Sequence, residues 1–224
     1  MLNDLKKKIC RANKMLQKRE NRFTWCSVSG FDLSMGLFVV KPRGVPYDEL
    51  QPELMIVMSM DGNKLEGRLS PARDAETHRA MYMTWAMSGL QIGAIVHTCS
   101  PCATAFAQAG LPLAPIGAKH AEYFYDTVPV TRFLTKEEVE GNYEYNLGEL
   151  AAKTSVDPQK TPAVLLAGHG AAAWGTNVDK AVRRALVLED LAYTSFMTRS
   201  LNPNVTELDG FLRDARYAYR QEPM

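Results

Sequence analysis

The chain is short of cysteine, of long apolar runs and of any excess of charge. Its 224 residues include only four cysteines, too few for a disulfide scaffold of this length. No uncharged apolar stretch approaches the roughly 18–20 residues that a membrane-spanning helix needs. The charged start at Met1–Lys8 lacks the apolar core of a signal peptide. We therefore expect a soluble, cytoplasmic protein whose thiols are reduced.

Positive and negative charges nearly cancel, with 26 basic and 25 acidic residues and a net charge of +1. Neither end of the chain is strongly basic, which argues against a partner that is nucleic acid or an acidic membrane. Any anion that the protein binds must therefore be held by a few local groups. Hydrophobic residues make up 46% of the chain, enough for the core of one large domain.

Helical and strand-like patterns are mixed along the chain, with short connections between them. Leu2, Leu5 and Ile9 recur at spacings of three and four, which predicts an amphipathic helix over about 2–19. The pattern indicates one α/β domain over 1–224, with a central mixed sheet flanked by helices in three layers. We predict further helices at about 75–87, 103–109, 136–153, 179–201 and 204–216, and strands at about 23–29, 36–41, 54–59, 92–97 and 162–167.

Two apolar runs each end in a histidine. The stretch IVHTCSPC carries His97 and Cys99, whose side chains share a face because strand residues alternate. The second run ends at His169, between Gly168 and Gly170, which permit a tight turn. Both predicted strands therefore deliver a histidine at their exit, where a ligand could reach it.

Three interpretations of these residues remain open from the sequence pattern. Cys99 and Cys102 have the C-x-x-C spacing of a redox pair, although no thioredoxin-like context precedes them. His97 and His169 could be structural histidines with satisfied hydrogen bonds, which two isolated histidines would favour. Imidazole and thiolate are also the ligands that zinc accepts in a tetrahedral site.

Longer motifs connect the chain to a known family. The strongest, HAEYFYDTVPVTRFLTKEEVEGNYEYNLGE, extends from His120 to Glu149 and is supported by KPRGVPY, IVHTCS, PAVLLAGHGAAAWG, ALVLEDLAY and YAYRQ. From about Thr24 to Gln221 the chain resembles the L-ribulose-5-phosphate 4-epimerases of the class II aldolase/adducin superfamily. The resemblance implies a class II aldolase-like fold and a homotetramer whose sites lie between subunits.

The resemblance also implies a zinc ion, or another divalent metal, and a set of ligands. Family members bind the metal through an acidic residue, a His-x-His pair and a later His-Gly. Asp74, His97 and His169 match these positions, and Cys99 stands where the second histidine of the pair would be. Because cysteine is a competent zinc ligand as the thiolate, coordination is expected to survive this change.

The implied reaction is zinc-dependent epimerisation of L-ribulose 5-phosphate to D-xylulose 5-phosphate, by retro-aldol cleavage and re-addition. Proton transfer on opposite faces of the substrate needs an acid and a base, for which the motifs offer Glu122 and Tyr219. Arg43 and Arg73 stand where the family has serines, so they either grip an anionic group or are solvated surface residues. The predicted contacts to the phosphorylated pentulose are Ser27, Lys41, Arg43, Gly44 and Arg73.

Two other functions stay open because several positions differ from the family pattern. One is a class II sugar-phosphate aldolase or lyase that acts on another anionic substrate, with Arg43, Arg73 and Glu122 as adaptations. The other is a non-catalytic, adducin-like member with a degraded site, which Cys99 in place of histidine would favour. Fold alone does not decide between them.

Overall fold

A computed structural model of the chain describes residues 2–17 and 26–221. The predicted strand residues 23–25 and the predicted helix residues 18–19 lie outside this part. The strands are β1 (Ser27–Asp32), β2 (Leu37–Val40), β3 (Ile56–Ser59), β4 (Lys64–Glu66), β5 (Ala94–Thr98), β6 (Ala163–Leu166) and β7 (Gly170–Gly175). The helices are α1 (Asn3–Gln17), α2 (Ala75–Met87), α3 (Pro101–Ala109), α4 (Ala118–Phe124), α5 (Lys136–Glu140), α6 (Tyr143–Thr154), α7 (Val178–Leu201) and α8 (Gly210–Gln221), with a 3₁₀ turn at Pro52–Leu54.

The seven strands form one sheet in the order β4-β3-β2-β1-β5-β7-β6. Each neighbouring pair is antiparallel, so the expectation of a mixed sheet was wrong on this point. The main reason is β7, which the sequence pattern missed because GAAAWG contains no β-branched residue. β7 pairs with β6 and inserts between it and β5, so that both neighbours run against it.

Helices cover both faces of the sheet and confirm the three-layer α/β architecture. On one face, α1, α3 and α7 pack over residues such as Val28, Val96 and Ala173. On the other face, α2 and α6 bury residues such as Ile95 and Trp174. The ring centroids of Trp85 on α2 and Trp174 on β7 lie 4.5 Å apart, so these rings pack the helix layer against the sheet.

Several helix boundaries differ from the sequence pattern. The helix predicted over 136–153 is two helices, because α5 ends at Glu140 and Asn142 caps the start of α6. The last helix begins at Gly210 rather than near residue 204, and α4 was not predicted. Within the described ranges, none of the helices has the length and apolar character needed to cross a bilayer.

Candidate metal centre

The predicted site forms at the exit of β5. His97 lies one residue before the end of this strand, and the register with β1 places Ser27 directly opposite it. Asp74 occupies the residue before α2, on the side of the sheet that α2 covers. Strand pairing and one helix start thus bring together three residues that are far apart in sequence.

The Gly-His-Gly turn between β6 and β7 brings His169 to the same place. Gly168 has φ +69°, a left-handed conformation that suits glycine. A Cβ atom at Gly170 would lie 2.4 Å from the carbonyl oxygen of Thr98, so only glycine allows β7 to approach β5 this closely. The ring of His169 stacks on that of His97, with centroids 5.0 Å apart and planes 15° apart.

Asp74 is the hydrogen-bond acceptor at the centre of the site. His97 Nδ1 donates to its Oδ2 at 3.0 Å, and the Ser27 hydroxyl donates to the same oxygen at 2.6 Å. Burial alone would raise the pKa of Asp74, but these bonds and the neighbouring histidines outweigh it and hold the pKa below its usual range. The carboxylate is therefore ionised at neutral pH.

Both predicted histidine ligands keep one ring nitrogen for another partner. Because an ionised carboxylate only accepts, Nδ1 of His97 carries the proton of this hydrogen bond, and Nε2 is the ring nitrogen left for another partner. That Nε2 is buried and has no hydrogen-bond partner among the residues the structure describes. His169 Nδ1 lies 3.0 Å from the Tyr143 hydroxyl, and burial lowers the pKa of His169 to about 4. Neutral imidazoles with one nitrogen anchored are suited to bind metal through the other.

His78 is a further member of the site that sequence reasoning missed. One ligand atom from each of Asp74, His78 and His97 lie within 4.8 Å of one another. His78 is fully buried, with Nδ1 2.5 Å from the Ser29 hydroxyl, and burial lowers its pKa to about 4. The signal was available, since Asp74 and His78 are four residues apart at the start of a predicted helix and so share a face.

Cys99 lines the same cleft but does not join that three-residue cluster. Its thiol donates to the carbonyl oxygen of His169 at 3.5 Å, and burial raises its pKa. Cys99 and Cys102 form no disulfide. Cys102 instead lies in the first turn of α3, where its backbone N–H donates to Glu189 at 2.9 Å.

The cleft has a cationic rim made by two loops. The backbone N–H of Arg43 donates to Ser70 and that of Ala72 donates to Lys41, at 2.9 and 3.0 Å. These bonds join the loop after β2 to the loop before α2 and bring Arg43 and Arg73 to one side. The predicted substrate contacts Ser27, Lys41, Arg43, Gly44 and Arg73 all line this cavity, which has a volume of about 620 Å³.

The predicted acid and base lie elsewhere in the chain. Glu122 on α4 accepts from Arg216 on α8, with its Oε1 3.0 Å from Nε. The guanidinium of Arg216 also stacks over the Tyr219 ring at 4.8 Å. The structure thus brings Glu122 and Tyr219 to the same arginine, and neither lines the cleft. Tyr219 is 62% exposed.

A divalent metal fits the residues of the cleft. The buried and unpartnered Nε2 of His97 has the lone pair that a metal would take, and a carboxylate and further imidazoles are close by. Nitrogen, oxygen and sulfur donors in one small volume are the set that zinc accepts. The structural interpretation of the two histidines, with satisfied hydrogen bonds, does not hold for His97.

Comparison with known proteins agrees with this geometry. Residues 7–196 match the family model described as Class II Aldolase and Adducin N-terminal domain. The chain belongs to this family. The class II aldolase family is metal-dependent, which agrees with the metal-binding donors found in this cleft. Which metal binds is inferred from the donor atoms of this chain.

The chain is also similar to curated proteins and to solved structures. L-ribulose-5-phosphate 4-epimerase UlaF of Salmonella paratyphi A is 39% identical over 203 residues, which cover 90% of this chain and 87% of the relative. The protein of the same name from Salmonella typhi matches equally well. The structure of an L-fuculose 1-phosphate aldolase has a TM-score of 0.82 at 24% identity and covers 96% of this chain and 95% of its own. That likeness shows the class II aldolase fold.

Proposed function

We propose that the chain converts L-ribulose 5-phosphate to D-xylulose 5-phosphate, acting as one domain. The observation that carries the proposal is the cleft, where the candidate metal ligands and a cationic rim share one cavity. The names of the curated relatives support this substrate. Phosphorylated sugars are retained inside cells by their charge, so we place the reaction in the cytoplasm.

The candidate metal ligands are His97, His169, Asp74 and Cys99, and the donor set favours zinc. A bound zinc ion would supply a Lewis acid that stabilises negative charge on the substrate oxygens. Asp74 and Tyr143 fix the ring orientations of His97 and His169 through their Nδ1 atoms. Anchored rings present their Nε2 atoms without further reorganisation, which favours tight binding.

The cationic rim is proposed to hold the phosphate group. Arg43 and Arg73 are exposed, and neither forms an ion pair with a carboxylate of the described chain. A guanidinium can grip a phosphate through two parallel hydrogen bonds. Lys41 lies over the Tyr47 ring with its ammonium 5.0 Å from the centroid, and it adds a third positive charge to the same cavity.

Glu122 and Tyr219 are proposed as the acid and the base, delivered to the cleft of a neighbouring copy. Because neither residue lines the cleft of its own chain, one copy alone cannot place them beside the substrate. A homotetramer with sites between subunits would supply this second copy. The exposed position of Tyr219 on α8 is consistent with a contact across such an interface.

The test is turnover of L-ribulose 5-phosphate by purified protein, with and without added zinc. We expect D-xylulose 5-phosphate to form, and the rate to fall at least about 10³-fold in His97→Ala, because several kcal/mol of charge stabilisation would be lost. Free glycolaldehyde phosphate without epimer would identify an aldolase instead. If zinc-loaded protein forms no product, the proposal is refuted.

A matched pair of variants tests the cysteine. Cys99 and Cys102 are both partly buried and three residues apart, but only Cys99 lines the cleft. Cys99→Ala is expected to lower metal content and turnover, whereas Cys102→Ala should change neither. Equal behaviour of the two variants would remove Cys99 from the ligand set.

A further inference from the structure

A second cavity, of about 260 Å³, lies between α4, α7 and α8. We call it the seam cavity. None of its described lining residues also lines the metal cleft. Its walls are rich in hydrogen-bond donors, which belong to Lys180, Arg183, Arg184, Arg220, Tyr123 and Tyr217.

Four cations line the seam cavity without an ion pair among the described residues. Within the described ranges, no carboxylate forms an ion pair with any of the four, which are Lys180, Arg183, Arg184 and Arg220. Among the described residues, Glu122 is the one carboxylate that lines the cavity, and it is already bound by Arg216. A concave site with one sign of charge concentrates anions from solution.

Arg184 is the most informative of the four. Its guanidinium has five N–H donors, and among the described residues it donates one hydrogen bond, from Nη1 to the carbonyl oxygen of Trp174 at 3.0 Å. Burial, together with the nearby charge of Arg220, lowers the pKa of Arg184. A half-buried cation beside a second cation is unfavourable unless an anion lies between them.

The cations sit on two helices that few other contacts join. Lys180, Arg183 and Arg184 belong to α7, and Arg220 belongs to α8. None of residues 210–220 of α8 is buried, and Arg220 is held over the Tyr123 ring at 5.0 Å. An anion in the seam cavity would therefore connect α7 to α8 through charge-assisted hydrogen bonds.

We propose that the seam cavity binds a small anion of the phosphate class and thereby fixes α8 against α7. The volume lies just below the roughly 300–1,000 Å³ of sites for drug-sized ligands, which suits one or two phosphate groups. The hydroxyls of Tyr123 and Tyr217 add neutral donors around the cations. The site goes beyond the proposed reaction, because the metal cleft has its own cationic rim.

Inorganic pyrophosphate is the probe, titrated by calorimetry at fixed ionic strength with no divalent metal added. We expect saturable binding with one site per chain. Lys180→Gln combined with Arg183→Gln should weaken it at least about tenfold, because two charge-assisted contacts are removed. The matched control is Lys8→Gln with Arg11→Gln, which removes the same charges at the same spacing from the exposed face of α1. Equal affinity in both double variants, or no saturable binding, would overturn the proposal.

A third variant and a second readout locate the anion. Arg220→Gln removes the cation on α8 and should also weaken binding, and hydrogen exchange of the α8 amides should slow when pyrophosphate is added. The double variant Arg43→Gln with Arg73→Gln tests whether the probe binds the metal cleft instead. If this variant loses pyrophosphate binding and the seam-cavity variants keep it, the seam site is refuted. Titration with L-ribulose 5-phosphate in that background shows whether the substrate also supplies the anion. Binding does not depend on turnover, so an inactive protein that binds pyrophosphate contradicts only the proposed reaction.

Discussion

The metal cleft and the seam cavity are built in opposite ways. The cleft lies where β5 and the β6–β7 turn end, so its histidines are positioned by backbone pairing in the middle of the sheet. The seam cavity lies under α8, in which none of residues 210–220 is buried. The contacts of α8 include ion pairs, arginine–tyrosine stacks and the ring contact of Tyr217 with Tyr125. One site is fixed by the core of the fold, and the other by side chains at its surface.

We infer from this difference that the core around the cleft is rigid and that α8 is easier to move. Adding an atom to the closely packed core pushes against neighbours that have little room to move, so small changes near the cleft should be costly. Contacts around α8 are partly solvated and individually weak, so that helix can respond to a ligand. The following variants test this difference, from the largest expected effect to the smallest.

Gly170→Ala should lower the free energy of unfolding by about 3 kcal/mol, because its Cβ would lie 2.4 Å from a backbone oxygen of β5. Urea unfolding measures the change. Gly210→Ala is the control at the start of α8, where a Cβ would meet nothing within 4 Å, and it should be near neutral. Similar losses in the two variants would contradict the contrast between the regions.

Acid should destabilise the protein through its buried histidines. Burial lowers the pKa of His120 to about 4, while the unfolded chain keeps a value near 6.5. Between these values the unfolded state binds more protons, so stability is fully present above pH 6.5 and falls as pH drops toward 4. We expect His120 to contribute about 2–3 kcal/mol of this loss. Chemical unfolding of His120→Gln should show a flatter pH dependence over this range, and an unchanged slope would exclude His120 as a cause.

His78→Gln should weaken zinc binding about 10–100-fold, which is the loss expected when a group that orients the metal ligands is removed. His78 lies between the Ser27 and Ser29 hydroxyls, and Ser29 in turn is 2.9 Å from the Tyr82 hydroxyl. Competition with a zinc chelator measures the affinity. Tyr82→Phe removes the far end of this chain and should have a smaller effect. Full zinc affinity in His78→Gln would show that the network does not support the site.

Arg216→Gln should change the free energy of unfolding by less than about 1 kcal/mol, because its ion pair with Glu122 is partly solvated. Thermal unfolding of Arg216→Gln, Glu122→Gln and the double variant gives the coupling between the two side chains. A coupling above about 2 kcal/mol would mean that α8 is anchored as firmly as the core.

Much of the cleft was predictable because local patterns fix it. Apolar runs that end in His97 and His169 indicate two buried strands with histidines at their exits, and that placement is found. The layer architecture follows from the same runs and from the amphipathic helices. The prediction of α2 matches the observed helix at both ends.

The missing parts depend on tertiary context. β7 has the sequence of a flexible or helical segment, and only pairing on both sides makes it a strand. The i,i+4 spacing places His78 on the same helix face as Asp74. Its contacts with the Ser27 and Ser29 hydroxyls depend on where α2 packs against β1, which no spacing within the sequence specifies. The separation of Glu122 and Tyr219 from the cleft depends on how α4 and α8 pack, which motifs do not contain.

The central claim is that a divalent metal is held at the exits of β5 and the β6–β7 turn. Elemental analysis of the purified parent, His97→Ala and His120→Ala after dialysis against zinc tests it most directly, since both histidines are buried but only His97 lines the cleft. We predict one metal ion per chain in the parent and in His120→Ala, and at most about a tenth of that in His97→Ala. Equal metal content in His97→Ala and the parent would contradict the account.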